Sequence, residues 1–360
     1  MALTGRKKIV FALVAMSISF IGMLVVLLAA DLVLHRRAEK SAGLNRYGYR
    51  GPVVGKKEPG ELRVVMLGGS TVFGYGVAWN ESVPVNLEAK LKERLNRPVR
   101  VINLGFNNEG AYAFVPNLED FEYLDYDLIV LYEGYNDLPG DQGVNRSVYR
   151  RDSAVYRLTG YYPILPLYLD EKAKMLRYGN NLDVAYEEQR RKSGDPNAVV
   201  FRTGLAKRTS AAALEAVNYM TKALDGQLEK TGVVPPPATK EHESKLGCTF
   251  PYVTYCESVA AGVRFGLSRG KPVVVGSQPR SPGKWSKELH TKQQEMLASM
   301  IARVFGSEQR VVWADMSRLV DLTNVDVTFD GMHLKPNANA TVAAALVEPV
   351  LKAVSSGGSR

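Results

Sequence analysis

A carboxylate and an imidazole near the C-terminus stand at a spacing that suits general-base catalysis. They are Asp330 and His333, in the order D-x-x-H, just before a predicted helix. A carboxylate at this spacing in a turn can bind the ring Nδ1–H and leave Nε2 free to accept a proton. The other three histidines are His35, His242 and His290, and none has a carboxylate three residues before it. His333 is therefore the candidate general base.

The candidate nucleophile for this base lies at the other end of the chain. Ser70 follows two glycines directly after the apolar run Leu62 to Leu67. Gly105 and Asn136 likewise follow apolar runs. Each feature alone is more often a strand-to-helix turn, a tight turn or a helix cap than a functional group. Their shared placement after strands is more informative than any one of them.

Short apolar runs alternate with helical patterns along most of the chain. The predicted strands are 62–67, 99–104, 127–132, 271–276 and 310–314, and predicted helices include 83–95, 291–305 and 337–354. Strands alternating with helices predict a three-layer α/β fold with a parallel sheet. Ligands of such folds bind beyond the carboxyl ends of the strands, where all the candidate residues lie.

Residues 139–247 break this alternation. They contain five tyrosines between positions 149 and 168, charged helical stretches and three consecutive prolines at 235–237. A connection of this length is rarely without structure inside a compact domain. We therefore expect an inserted, mostly helical cap.

The N-terminal segment predicts a membrane anchor. Ile9 to Ala30 is 22 residues without a charge, about 33 Å of helix, which suffices to cross a bilayer. Its length and poor cleavage site favour an uncleaved anchor over a signal peptide. Basic residues flank it on both sides, so the positive-inside rule leaves the orientation open. Cys248 and Cys256 could form a disulfide in an oxidising compartment or remain thiols in a reducing one.

The net charge of +9 is unevenly distributed. Residues 1–40 carry +4 and residues 146–230 carry +5, which leaves the remainder neutral. No nucleic-acid-binding motif accompanies the excess, so anionic lipid headgroups or a merely solvated basic surface explain it better. No metal-ligand spacing and no complete dinucleotide-binding motif occurs, and we expect no metal and no cofactor.

Four blocks together resemble the SGNH (GDSL-type) hydrolase superfamily. They are Leu67-Gly-Gly-Ser70, Asn103-Leu-Gly105, Gly134-Tyr-Asn136-Asp137 and Asp330-Gly-Met-His333-Leu334. The chain has Gly69 where the name-giving motif has Asp, and it lacks a further glycine close to Gly105. The resemblance implies that Ser70 is the nucleophile, His333 the base and Asp330 its orienting carboxylate. It also implies an oxyanion hole formed by Ser70, Gly105 and Asn136.

The resemblance further implies a flavodoxin-like α/β/α fold and a serine esterase acting on O-acetyl or other O-acyl groups of an envelope or exported glycan, or on a lipid ester. An O-acyltransferase with the same triad and a non-catalytic membrane scaffold for polysaccharide or lipid assembly are the alternatives. We expect an anchor over 1–40, a linker over 41–62 and a hydrolase domain over 63–354. The expected location is a bacterial inner membrane, crossed once, with a periplasmic catalytic domain.

Overall fold

The computed structural model describes residues 5–38, 43–138, 148–179, 188, 246–282 and 286–357. The five strands are Leu62–Leu67 (β1), Val99–Asn103 (β2), Leu128–Tyr132 (β3), Val273–Gly276 (β4) and Val311–Ala314 (β5). They form one parallel sheet in the order β2-β1-β3-β4-β5. This is the flavodoxin-like order, and it confirms the predicted α/β fold class.

The helices of the described residues lie between and around these strands. They are Gly5–Ala38 (α1), Ser70–Phe73 (α2), Val83–Leu95 (α3), Phe114–Asp120 (α4), Tyr149–Asp152 (α5), Ala154–Thr159 (α6), Leu165–Arg177 (α7), Val253–Ser268 (α8), Ser286–Phe305 (α9) and Pro336–Gly357 (α10). Helix α9 begins five residues before its predicted start, because the polar, exposed residues of its first turn interrupt the apolar pattern. An exposed Glu288–Lys292 ion pair of 2.9 Å lies there.

Both faces of the sheet are covered by helices, which explains why the strands are mostly apolar. Val64 and Met66 of β1 belong to the apolar core that α3 and α10 share with the sheet, whereas Val65 and Leu67 belong to the core shared with α4, α8 and α9. Each fully buried aliphatic side chain contributes about 1.5–3 kcal/mol relative to exposure. These two cores, one on each face of the sheet, hold the strands in place and so fix the positions of their carboxyl ends.

Part of the segment expected to be a linker belongs to the domain instead. Leu44, Asn45, Tyr49 and Arg50 are buried, and the backbone N–H of Arg50 donates to the carbonyl of Asn103 at 3.1 Å. The linker prediction is therefore corrected for residues 43–51, which we call the juxtamembrane segment. Its burial follows from the hydrogen bonds that its polar groups make inside the domain.

The longest described part of the expected insert, residues 148–179, contains the helices α5, α6 and α7. Most of 139–247, including His242, lies outside the described residues, so a helical cap over the whole range stays a prediction. Asp31 of α1 accepts hydrogen bonds from the Tyr161 hydroxyl and, at 2.8 Å, from the Ile164 N–H just before α7. These bonds join the C-terminal part of α1 to the domain.

Two helices of the described residues are long and apolar enough to cross a membrane. The span Pro336–Gly357 packs its apolar side chains, such as Val342 and Leu346, into the domain core. The span Gly5–Arg37 has a mean hydropathy of 2.7 and exposes its apolar side chains. The N-terminal helix is therefore the one that could cross a membrane.

Cys248 and Cys256 form a disulfide that ties the chain before α8 to the first turns of that helix. We expect reduction to lower the free energy of unfolding by about 2–3 kcal/mol, because the bond closes a short loop in the unfolded chain. Thermal unfolding of the purified full chain, with and without reductant, measures this effect. A variant with both cysteines replaced by serine is the control and should not respond to reductant; an equal response in both proteins would contradict the expectation.

Candidate active site

Three side chains from opposite ends of the chain form a continuous row of hydrogen bonds. Ser70 Oγ lies 2.9 Å from His333 Nε2, and His333 Nδ1 lies 2.6 Å from Asp330 Oδ2. Ser70 and His333 are almost completely buried, whereas the Asp330 side chain is half exposed. The structure thus brings together the three residues that the sequence nominated as nucleophile, base and orienting carboxylate.

Close backbone approaches explain the two glycines before Ser70. A Cβ on Gly68 would lie 2.1 Å from the Tyr132 carbonyl oxygen, and a Cβ on Gly69 would lie 1.9 Å from Asn136 Nδ2. No side chain fits in either place, so the strand-to-helix turn can pass directly against the end of β3. Ser70 is the first residue of α2, whose leading N–H groups have no acceptor within the helix.

The turn that carries His333 is built by Asp330 and Gly331. Asp330 Oδ1 accepts the backbone N–H groups of Met332 and His333 at 3.1 and 2.8 Å, and Gly331 has a φ of +84°. Partial burial would raise the pKa of Asp330, but its hydrogen bond to His333, the charge interaction with that ring and the two N–H donors outweigh burial. The pKa of Asp330 therefore lies below its ordinary value. An ionised Asp330 fixes the imidazole with Nε2 toward Ser70.

Gly105 lies against the nucleophile helix. A Cβ at this position would be 2.5 Å from the backbone nitrogen of Phe73. Its own N–H donates to Asn103 Oδ1 at 3.0 Å, while Asn103 Nδ2 donates to the Val72 carbonyl at 2.9 Å. The Asn103 side chain thus connects the nucleophile helix to the loop after β2.

Asn136 lies on the other side of the serine turn, with its Nδ2 against Gly69. This nitrogen donates to the carbonyl of Glu109 at 3.0 Å. Gly105 and Asn136 therefore both direct donors to protein acceptors.

Gln278 is a site-supporting residue that the sequence reading missed. It follows β4 and is completely buried. Its Nε2 donates to Thr71 Oγ1 at 2.9 Å, and its Oε1 accepts the Tyr135 N–H at 3.0 Å. Gln278 therefore joins the turn of the nucleophile to the turn of Asn136. In the sequence, the feature that indicates Gln278 is its position just after the fourth predicted strand.

A buried carboxylate, Glu133, lies beneath both turns. It accepts the N–H groups of Gly69, Gly134 at 2.8 Å and Asn136 at 3.1 Å. Burial raises the pKa of Glu133 to about 7, against the opposing effect of these donors. Burial and the nearby charge of Glu133 raise the pKa of Asp137 well above its ordinary value. Glu133 is therefore a single acceptor shared by the turn that carries Ser70 and the turn that carries Asn136.

Aromatic side chains border the triad. The ring of Tyr75 lies 4.6 Å from the His333 ring, centroid to centroid, and the half-exposed ring of Phe329 lies against Gly76. Within the described ranges, no group of three or more histidine, cysteine, aspartate or glutamate side chains is placed to hold a metal ion. The arrangement places a serine hydroxyl within hydrogen-bond distance of an imidazole in a partly apolar environment.

No family model matches the sequence, and no curated protein matches it. Solved structures with some similarity include a GDSL-like lipase from Bacteroides thetaiotaomicron, with a TM-score of 0.39, 12% identity and coverage of 83% of this chain and 93% of that one. An acetylxylan esterase from Geobacillus stearothermophilus has a TM-score of 0.42 and 10% identity, over 80% and 94% of the two chains. A lipolytic G-D-S-L protein from Veillonella parvula has a TM-score of 0.40 and 9% identity, over 80% and 97%. At such low values we infer the chemistry from the geometry of the site alone.

The raised pKa of Glu133 predicts how stability depends on pH. Because the folded-state pKa is about 7 and the ordinary value is 4.5, the contribution of Glu133 is fully present below pH 4.5 and is lost as the pH rises through 7. Melting temperatures of the full chain between pH 4.5 and 8 should therefore decline more steeply for the wild type than for Glu133→Gln. Parallel curves for the two proteins would contradict this assignment.

Proposed function

We propose that the protein is an SGNH-type serine hydrolase of carboxylic esters. The observation that carries the proposal is the hydrogen-bonded row from Asp330 through His333 to Ser70, with distances of 2.6 and 2.9 Å. A serine hydroxyl is a weak nucleophile, and it becomes effective when an adjacent base is held in one tautomer by a third group. The half-exposed Asp330 and the nearly buried Ser70 and His333 fit these roles.

In the proposed mechanism, Ser70 Oγ attacks the ester carbonyl carbon while His333 Nε2 takes its proton. The resulting tetrahedral intermediate collapses when the imidazolium returns the proton to the leaving alcohol, which leaves an acyl group on Ser70. A water molecule then attacks the acyl-enzyme with His333 as base, and the acid is released. Ionised Asp330 stabilises the imidazolium in both steps.

The oxyanion of each tetrahedral intermediate would be bound by the N–H groups of Ser70 and Gly105 and by the amide of Asn136. Fixed donors of this kind contribute about 3–4 kcal/mol each to transition-state stabilisation. The closeness of Gly69 to Asn136 and of Gly105 to α2 supports this assignment. In this role, a substrate oxyanion would share these donors with their protein acceptors, Asn103 Oδ1 and the Glu109 carbonyl, or take the place of those acceptors.

We propose an O-acylated glycan of the cell envelope or an exported polysaccharide as the substrate class. The exposed apolar helix α1 supports attachment to a membrane. The Cys248–Cys256 disulfide supports a catalytic domain in an oxidising compartment such as the periplasm, because cytosolic thiols are kept reduced. Aromatic rings beside the triad, such as Tyr75 and Phe329, offer apolar faces to a sugar ring.

Labelling with a fluorophosphonate tests whether an acyl-enzyme can form. We expect covalent modification of Ser70 in the wild type and none in Ser70→Ala or His333→Ala, because attack requires the imidazole. Ser268→Ala replaces an exposed serine of α8 and serves as the control, with labelling equal to the wild type. Mass spectrometry of the labelled peptide identifies the site. An unlabelled wild type would favour a non-catalytic scaffold.

Steady-state hydrolysis of p-nitrophenyl acetate tests the roles of the triad. His333→Ala should abolish turnover above the background rate. Asp330→Asn should lower kcat by a factor of roughly 10²–10⁴ and leave a measurable remainder, because the imidazole is present in the wrong tautomer. Circular dichroism and melting temperature verify that each variant is folded. Full esterase rates in both variants would refute the triad assignment.

Product analysis separates hydrolysis from acyl transfer. We expect acetate to be released from p-nitrophenyl acetate at the same rate with and without an oligosaccharide acceptor, because water completes the proposed cycle. Chromatography and mass spectrometry of the oligosaccharide reveal any transferred acetyl group. Acetylated oligosaccharide formed at the expense of free acetate would make the protein an O-acyltransferase that uses the same triad.

A further inference from the structure

Arg150 of α5 is a completely buried arginine whose side chain has found a partner for every N–H group it carries. Nε donates to the Gly48 carbonyl at 2.6 Å. One terminal nitrogen donates to Glu109 Oε2 at 3.2 Å and Asn117 Oδ1 at 3.0 Å, and the other to the carbonyls of Leu104 at 2.8 Å and Gly105 at 3.3 Å. A guanidinium has five N–H donors, and these five acceptors match them.

Three of these acceptors lie in the loop that follows β2, at both of its ends. Leu104 and Gly105 begin the loop, and Glu109 lies near its end. Arg150 therefore binds the carbonyl of Leu104, which lies opposite the Gly105 N–H in the same peptide group. That N–H is one of the proposed oxyanion donors. The loop makes few regular backbone hydrogen bonds. Its carbonyl groups therefore need side-chain donors, which Arg150 provides.

Arg150 also reaches the second donor, Asn136, through Glu109. The Glu109 side chain is held by Arg150 and by Asn117 Nδ2 at 2.8 Å, and its backbone carbonyl accepts Asn136 Nδ2 at 3.0 Å. The position of that carbonyl depends on the position of Glu109. The guanidinium of Arg150 thus contacts Gly105, which carries one proposed donor, and Glu109, whose carbonyl accepts from the other proposed donor, Asn136.

The surroundings of Arg150 exclude water and leave little freedom of movement. The guanidinium carbon lies 4.6 Å from the centroid of the Phe106 ring and 5.4 Å from that of Phe121. Lysine has only three N–H donors on a single nitrogen and cannot reach both Gly48 and Gly105 in this plane. A shorter or neutral residue would leave buried carbonyls and the Glu109 carboxylate unsatisfied.

We propose that Arg150 is a positioning residue that holds the loop of Gly105 and, through Glu109, the side chain of Asn136, so that both proposed oxyanion donors stay beside Ser70. The inference rests on the proposed ester hydrolysis. It assigns a task in that reaction to the first described part of the insert. Through the Gly48 carbonyl, Arg150 also ties the hole to the juxtamembrane segment, residues 43–51.

The test uses the full chain with Arg150→Lys and Arg150→Met. Arg151→Lys is the matched control, because Arg151 neighbours Arg150 on α5 but pairs with Asp120 and Glu119 near the surface. The number of working sites is titrated with the fluorophosphonate, and kcat is expressed per titrated site at a temperature well below the melting point of each variant. A purely structural role would lower the melting temperature and the number of sites but leave kcat per site unchanged.

We expect kcat per site to fall by roughly 10–100-fold in Arg150→Lys and further in Arg150→Met, with KM within about twofold of the wild type, because small displacements of oxyanion donors cost this much. Arg151→Lys should keep the wild-type kcat. A kcat per site within twofold of the wild type in both Arg150 variants would overturn the proposal.

Amide hydrogen exchange gives a readout that does not depend on activity. We expect faster exchange in residues 103–110 and 134–137 of Arg150→Lys than in Arg151→Lys or the wild type. Unchanged exchange in both segments would overturn the role of Arg150 even in an active protein. If the wild type neither reacts with the probe nor cleaves esters, the proposed function fails, and the exchange data alone then decide whether Arg150 holds this loop.

Discussion

The hydrogen bond between Ser70 and His333 joins side chains 263 positions apart in the chain, and the fold is arranged around this contact. Ser70 follows the inner strand β1 and a turn in which two glycines permit close packing. His333 is delivered by a loop just before α10, which packs against the same face of the sheet as α3. The contact can form only because a parallel sheet ends all its strands at one edge.

Polar groups buried beneath this edge hold the loops of the site in place, and their burial costs free energy. Glu133, Gln278 and Asn103 each connect two of the turns that carry the candidate residues. Burying such groups is unfavourable unless they are paired, and removing one partner leaves the other unsatisfied. The Arg150–Glu109 pair illustrates this balance, since burial raises the pKa of Glu109 and the charge of Arg150 opposes it. Such networks favour one geometry, because an alternative packing would leave their members unpaired.

Two described segments outside the α/β alternation, residues 43–51 and 148–179, make hydrogen bonds to the loops around the candidate site. The juxtamembrane segment places Arg50 against the end of the nucleophile helix, where its guanidinium donates to the carbonyls of Phe73 and Gly74. The insert supplies Arg150. Asp31 and His35 at the end of α1 bind backbone groups of both segments, which connects the apolar helix to the domain by hydrogen bonds.

Apolar periodicity was enough to predict the five strands to within about two residues and the parallel α/β class. Local spacing nominated Ser70, Asp330 and His333, because a turn motif needs only neighbouring residues. The same reasoning treated residues 43–51 as a linker, since their glycine and polar content resembles a solvated segment. Their burial depends on acceptors in β2 and α5 that no local pattern reveals.

Residue types and short spacings were enough to nominate a nucleophile, a base and its carboxylate. The partners of the buried polar groups could be found only in the folded protein: Gly105 and Asn136 donate to Asn103 and Glu109, and Arg150 donates to the loop after β2. A buried hydrogen-bond donor is satisfied by whichever acceptor the packing of distant segments brings within about 3 Å, and local sequence carries no record of that packing.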